Sequence, residues 1–173
     1  MDQSTTIVRD FRKRLEHYHR DDGLTLQTFP NGACGDASIL LAHHLTWHGF
    51  GPYRYICGRR GDASHVWLSD GELIIDITAD QFEDFNQAVF IATTSPWHDA
   101  LNGEDLHEAT VSVWGSDWEA RFRSTYATLM NAMSSNPQTV RGQTTPPGEP
   151  HASVDRRAES SIADGQTFSN TKT

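Results

Sequence analysis

Cysteine is scarce: Cys34 and Cys57 are the two present in 173 residues. That is too few for the disulfide framework of a small secreted domain, and free thiols are expected. No segment approaches the apolar length that crosses a bilayer, so a membrane span is not expected. Met1 is followed by DQSTTIVRD, which lacks the basic start and hydrophobic centre of a secretion signal. The expected compartment is therefore the cytoplasm, with export by a non-classical route left open. Positive charge is also in short supply, with 14 Lys and Arg against 23 Asp and Glu and a net charge of -9. An acidic domain is a poor general binder of phosphate backbones, so neither nucleic acid nor a membrane surface is an expected partner, despite a local basic patch at Arg12, Lys13 and Arg14. From Ser134 onward four basic residues balance four acidic ones, which assigns the whole negative excess to residues 1–133.

What is present is enough for one domain with a real core. In TTIVRDFRKRLEHYHR, Ile7, Phe11, Leu15 and Tyr18 recur at steps of four, four and three, the spacing of one helix face over residues 5–20. DDGLTLQTFPNG reads as a loop. DASILLAHHLTWH, 36–48, holds strong helix formers, has no interior Gly or Pro, and is followed by Gly49, which predicts a second, buried helix. Four β-rich segments follow at 53–57, 64–69, 72–78 and 88–93, and in series they suggest an antiparallel sheet. TSPWHDALNGEDLHEA reads as mostly loop with a short helical turn. From Ser116 a third helix is expected, opened by Ser116 and Glu119 at capping-box spacing and carrying Trp118, Phe122, Tyr126, Met130 and Met133 on a core-facing stripe. Residues 134–173 have almost no large apolar side chain and are expected to be a disordered polar tail. The domain reading is thus 1–133 folded and 134–173 tail, in an α+β class.

SHVWLSDGELIIDIT carries the most informative pattern. Asp70-Gly71 is a strong signal for a two-residue hairpin turn. Counting outward from it pairs Leu68 with Leu73, Val66 with Ile75, and His65 with Asp76. Residues directly opposite on an antiparallel pair share a face with Cβ atoms about 4.5 to 5.5 Å apart, within reach of an imidazole–carboxylate hydrogen bond. Such a carboxylate fixes the imidazole tautomer and leaves the second ring nitrogen for a partner. Cys34, in GACGDAS just ahead of the second helix, is the candidate. A helix N-terminus favours a thiolate, and its free amides can hold the oxyanion of a tetrahedral intermediate, at roughly 3 to 4 kcal/mol of barrier per donor. Cys34, His65 and Asp76, in that order on helix start, strand and next strand, meet the requirements of a thiol acyl-transfer site.

The order and placement of these three resemble the catalytic core of the papain-like and transglutaminase-like cysteine enzymes. More narrowly, FPNGACGDAS, SHVWL, IIDITADQF and SPWH are similar to bacterial proteins of that superfamily, over about residues 25–100. The resemblance implies a nucleophile at the N-terminus of a helix packed on an antiparallel sheet, with extra N- and C-terminal helices. It implies Cys34 as nucleophile, His65 as general base and acid, and Asp76 as the residue orienting His65. Papain relatives carry a Gln six positions before the nucleophile to complete the oxyanion hole, and here that position is Thr28. Gln27 or Asn31 would have to serve, with Gln27 preferred.

The expected activity is a cysteine-dependent amide hydrolase acting on protein or peptide substrates, a protease or a glutamine deamidase, through a thioester. Transglutaminase-type acyl transfer and a non-catalytic binding module on the same fold are the alternatives. Trp67, on the face of His65, either lines the substrate cleft or shields the pair. Cys57 has no motif around it and reads as packing. His44 and His48 are four apart, yet Leu45 stands where a helical zinc site needs Glu and no third ligand is evident, so neither a metal nor another cofactor is expected. Asp80 and Gln81 read as structural, one capping a helical turn and the other tying down a loop. Oligomeric state has no signal here.

Overall fold

A computed structural model describes residues 3–18 and 23–132. The boundary at 133/134, Met133 and the polar tail lie outside these described residues. Helix α1 spans Gln3–Glu16, α2 Cys34–Trp47, the short α3 Pro96–Asp99, and α4 Ser116–Ala132. Strands β1 Arg54–Arg60, β2 Ala63–Ser69, β3 Ile74–Asp76, β4 Phe90–Ala92 and β5 Glu104–Glu108 form one sheet in the order β4-β3-β2-β1-β5, with every neighbouring pair antiparallel. The architecture is α+β. No helix among the described residues is long and apolar enough to cross a membrane.

Helix α2 is the centre of the fold. Ile39, Leu40, Leu41, Ala42 and Leu45 are all buried, because α1 packs on one side of the helix and β2 on the other. A helix covered on both sides carries apolar residues around most of its circumference. Each such Leu or Ile contributes about 1.5–3 kcal/mol on burial. In α1, Phe11 and Leu15 are buried as their spacing requires, joined by Val8, while Ile7 is only partly covered; the helix stops at Glu16, short of the expected residue 20, and Tyr18 is buried beyond its end. Along α4, Phe122 and Leu129 enter the core, whereas Trp118 stays 40% exposed. Ser116 is the first residue inside α4 and Glu119 pairs with Arg123 instead of reaching back to the helix start.

Two further expectations require correction. The β2–β3 hairpin pairs Leu68 with Ile75 and Ser69 with Ile74, two residues out of the register counted from Asp70-Gly71. The cause is local. The Asp70 carboxylate accepts the backbone N–H groups of Glu72 (2.9 Å) and Leu73 (2.7 Å), and the Ser69 hydroxyl accepts that of Gly71 (3.1 Å). These side-chain bonds hold residues 70–73 as a wider loop and stop the ladder at Ile74. An even shift leaves every side chain on its expected face, since strand periodicity is two. Val66, Leu68 and Ile75 accordingly sit in the core together. The second correction is β5, within a stretch read as mostly loop. Its residues EDLHE are largely exposed, so the strand carries no apolar alternation and exists through its ladder with β1.

Candidate functional site

Cys34 is the first residue of α2, after Ala33, whose side chain makes no capping bond. Helix geometry leaves the first-turn amides without carbonyl partners, and no hydroxyl or carboxylate at the cap position takes them. The turn that delivers Cys34 passes through Gly32 at φ +68°, a left-handed conformation that glycine adopts without penalty. The Gly32 N–H donates to Gln81 Oε1 at 3.0 Å, and Gln81 Nε2 donates to the Thr78 carbonyl at 2.9 Å. Gln81 therefore straps the turn before Cys34 to the segment that follows β3. Gln27 and Asn31 are exposed and line a shallow depression with Gly32, on the chain segment leading into Cys34. Gly35 packs so closely under the helix start that a Cβ there would lie 2.8 Å from the Tyr55 hydroxyl.

His65 is on β2, and its Nε2 lies 2.6 Å from Asp76 Oδ2. In the observed register Asp76 lies diagonally across from His65, two residues along from the directly opposed position. The same-face relation is kept, and the two side chains close the extra distance. The other ring nitrogen, Nδ1, is 3.4 Å from Gln81 Nε2. Cys34 is among the groups whose hydrogen bonding and charge raise the His65 pKa. His65 is fully buried, enclosed by the rings of Trp67, Phe82 and Trp97. Burial alone would lower its pKa; hydrogen bonds and charge from Asp76 and Cys34 outweigh that and raise it to about 9.

Asp76 is buried at the junction of β3 and the following turn. Its Oδ1 accepts the Thr78 N–H (2.8 Å), the Thr78 hydroxyl (3.1 Å) and the Ala79 N–H (3.0 Å). Its Oδ2 is shared between His65 Nε2 and, at 3.0 Å, His98 Nε2. Burial would raise the carboxyl pKa, but the hydrogen bonds from both histidines and the charge of His65 hold it far below the usual range. Comparison with protein-family models, curated proteins and solved structures finds no match to this chain.

His98 and Ser95 were not singled out from sequence, although both lie in SPWH. Ser95 is the N-cap of α3 and Pro96 its first residue, so Ser-Pro did mark a helix start that aims His98 inward. His65, Asp76 and His98 also form a group whose ligand atoms lie within 4.8 Å of one another. Both Nε2 atoms point at Asp76 Oδ2 itself and not at a common empty centre, and all three residues are at most 2% exposed, which suits a hydrogen-bonded triad better than a metal with an open coordination position.

Trp67 is 5% exposed. Its indole lies against Gly103, where a Cβ would come within 2.5 Å, and against Gly58, so most of its surface shields the histidines and only an edge reaches the shallow surface near Ser69 and Asn102. Cys57 is partly covered, its thiol pKa pushed up by burial. Asp80 makes a two-pronged ion pair with Arg12, at 2.7 Å on each oxygen. Arg12 also bonds Glu16 and the carbonyls of Ile77 and Ala88, so this member of the basic patch is internal. His44 bonds Tyr126 through Nδ1 at 2.8 Å and stacks on Phe11, a packed role among the helices.

Proposed function

We propose that the protein is a cysteine-dependent amide hydrolase of papain-like or transglutaminase-like type, acting on a protein or peptide carbonyl. The observation that carries this reading is the buried His65 that Asp76 holds by Nε2, with Cys34 at the start of α2 among the groups that raise its pKa. In the proposed reaction the Cys34 thiol passes its proton to His65 Nδ1 and the sulfur attacks the carbonyl carbon. The α2 first-turn amides, with Gln27 or Asn31, hold the oxyanion. His65 then returns the proton to the leaving amine as the tetrahedral intermediate collapses to a thioester. Water, deprotonated by His65, attacks the thioester and releases the acid and the thiol. Asp76 keeps the neutral imidazole in the right tautomer, stabilises the imidazolium that forms, and is not itself protonated. A peptide bond as substrate makes the protein a protease, a glutamine side chain makes it a deamidase, and an amine in place of water makes it a transglutaminase.

The enclosure of His65 favours a second reading, a non-catalytic module that keeps the arrangement as a structural knot. Incubating candidate proteins with wild type and Cys34→Ala, followed by mass spectrometry, separates the readings. Wild-type-dependent mass gains of about one dalton, new termini or joined chains support the enzyme and name its reaction. Identical product spectra, together with a wild-type Cys34 that alkylates no faster than a His65→Ala variant, support the module.

A further inference from the structure

Asp76 has more partners than a residue that merely orients one histidine needs. Its Oδ1 is already fixed by three donors from Thr78 and Ala79, yet a second imidazole reaches Oδ2 from α3, on the far side of the sequence. We propose that His98 is a positioning residue for the Cys34–His65 pair: it holds Asp76 Oδ2 on His65 Nε2, and Ser95 satisfies the ring nitrogen that this tautomer leaves as an acceptor. The inference rests on the cysteine-hydrolase reading above.

Asp76 and Ser95 together place the proton. The Asp76 carboxylate only accepts, so the His98 Nε2 that lies 3.0 Å from Oδ2 carries the ring proton and donates it. Ser95 Oγ accepts the backbone N–H of His98 at 3.3 Å, as an N-cap does, and lies 2.7 Å from His98 Nδ1. With the ring proton on Nε2, Nδ1 accepts the hydroxyl proton of Ser95. The ring orientation is fixed independently by stacking on Phe90, with centroids 5.1 Å apart, and by edge contacts with Trp67, Phe85 and Trp97. A ring needed only to fill that aromatic pocket requires no polar atoms; burying two of them is tolerable because both are matched. The relay Ser95–His98–Asp76–His65 thus leaves Asp76 Oδ2 a single position, between two N–H donors. Hydrogen bonds to a charged group are the strong kind, and the direction of this one determines where His65 stands relative to Cys34.

The test uses the full chain with two readouts. The first is the alkylation rate of Cys34 by iodoacetamide, followed peptide by peptide so that Cys57 is counted separately. His98→Leu is expected to slow Cys34 by about tenfold or more, and His98→Gln, whose amide nitrogen stands where Nε2 stands, to restore most of the rate. The second is NMR of protein labelled at histidine nitrogen. Wild type is expected to show protons on Nε2 of both His65 and His98, shifted far downfield, and the His65 proton is expected to move in His98→Leu and to return in His98→Gln. Equal losses in the Leu and Gln variants, or an unmoved His65 proton with an unchanged rate in folded His98→Leu, overturn the proposal. So does a wild-type His98 proton found on Nδ1, a result available even if His98→Leu does not fold. Failure of the underlying reading looks different: Cys34 then alkylates at the same slow rate in wild type and His65→Ala, while the two imidazole protons remain in place.

Discussion

Asp76 is the residue on which the site turns, and its substitution separates geometry from charge. Asp76→Ala leaves two buried imidazole N–H groups and two backbone amides without their acceptor. A stability loss of about 3–5 kcal/mol is expected, the range for breaking a buried charged network by removing one partner. Asp76→Asn keeps the shape but presents its neighbours with a neutral group, so a smaller loss of stability with a comparable loss of Cys34 reactivity is expected; denaturant titration and alkylation rates read the two effects. Cys34, His65 and Asp76 were visible as residue types because each follows a local rule: a thiol before a helix, an imidazole on a strand, a carboxylate on the same face of the next. His98 was hidden because nothing near it in the chain states its partner. Its Ser-Pro start announces a helix, but the carboxylate it reaches is 22 positions away, and only the tertiary fold brings the two together.

The hairpin shows how an element can be misread without harm to the site. Asp70-Gly71 announces a turn, and there is one, but the same Asp70 carboxylate that favours it also accepts two further amides and widens it. Because the shift is even, His65 and Asp76 stay on one face; an odd shift would have separated them across the sheet. Asp70→Ala removes both amide bonds and is expected to cost about 1 kcal/mol of stability while leaving Cys34 alkylation unchanged, since the loop lies at the opposite end of β2 from His65. Strand β5 was missed for a different reason. Its charged, exposed sequence has the composition of a protected edge, and edge strands are the ones whose pattern least resembles a buried strand. The turn between α3 and β5 depends on close approach: a Cβ at Gly103 would lie 2.5 Å from Trp67 and 2.7 Å from Ile56. Gly103→Ala is therefore expected to push this turn off the sheet at about 1–3 kcal/mol, by the general cost of overpacking, and to slow Cys34 alkylation by displacing α3 and with it His98. A variant that unfolds earlier in urea yet alkylates at the wild-type rate would show that α3 and the site are independent.

Across the whole molecule, two buried histidines tilt stability in opposite directions. Burial, aided by the charges of His48, Arg14 and His43, pulls the His44 pKa from 6.5 down to about 4. The unfolded chain therefore takes up a proton there between those values that the folded chain does not, and stability falls by about 2 kcal/mol from pH 6.5 to about 5. His65 is raised from 6.5 to about 9, so its contribution is complete below 6.5 and is lost as pH climbs towards 9, by about 2 kcal/mol at about pH 8.5. Stability measured by urea titration is expected to peak near pH 6.5, and a folded His44→Gln variant to lose the acid-side slope alone. The helical layer was readable in advance because α1, α2 and α4 follow helix spacing and helix-former content. The placement of internal charge was not: Arg12, within a run of basic residues, is drawn inside by Asp80 from 68 positions away. The central claim concerns one proton held between a sulfur and a ring. Nitrogen NMR of His65, titrated in wild type and in Cys34→Ser, reads it directly. The expected result is an imidazolium that persists to about pH 9 in wild type and titrates at a lower pH once the sulfur is replaced. An identical midpoint in both proteins would show that Cys34 and His65 do not form a working pair.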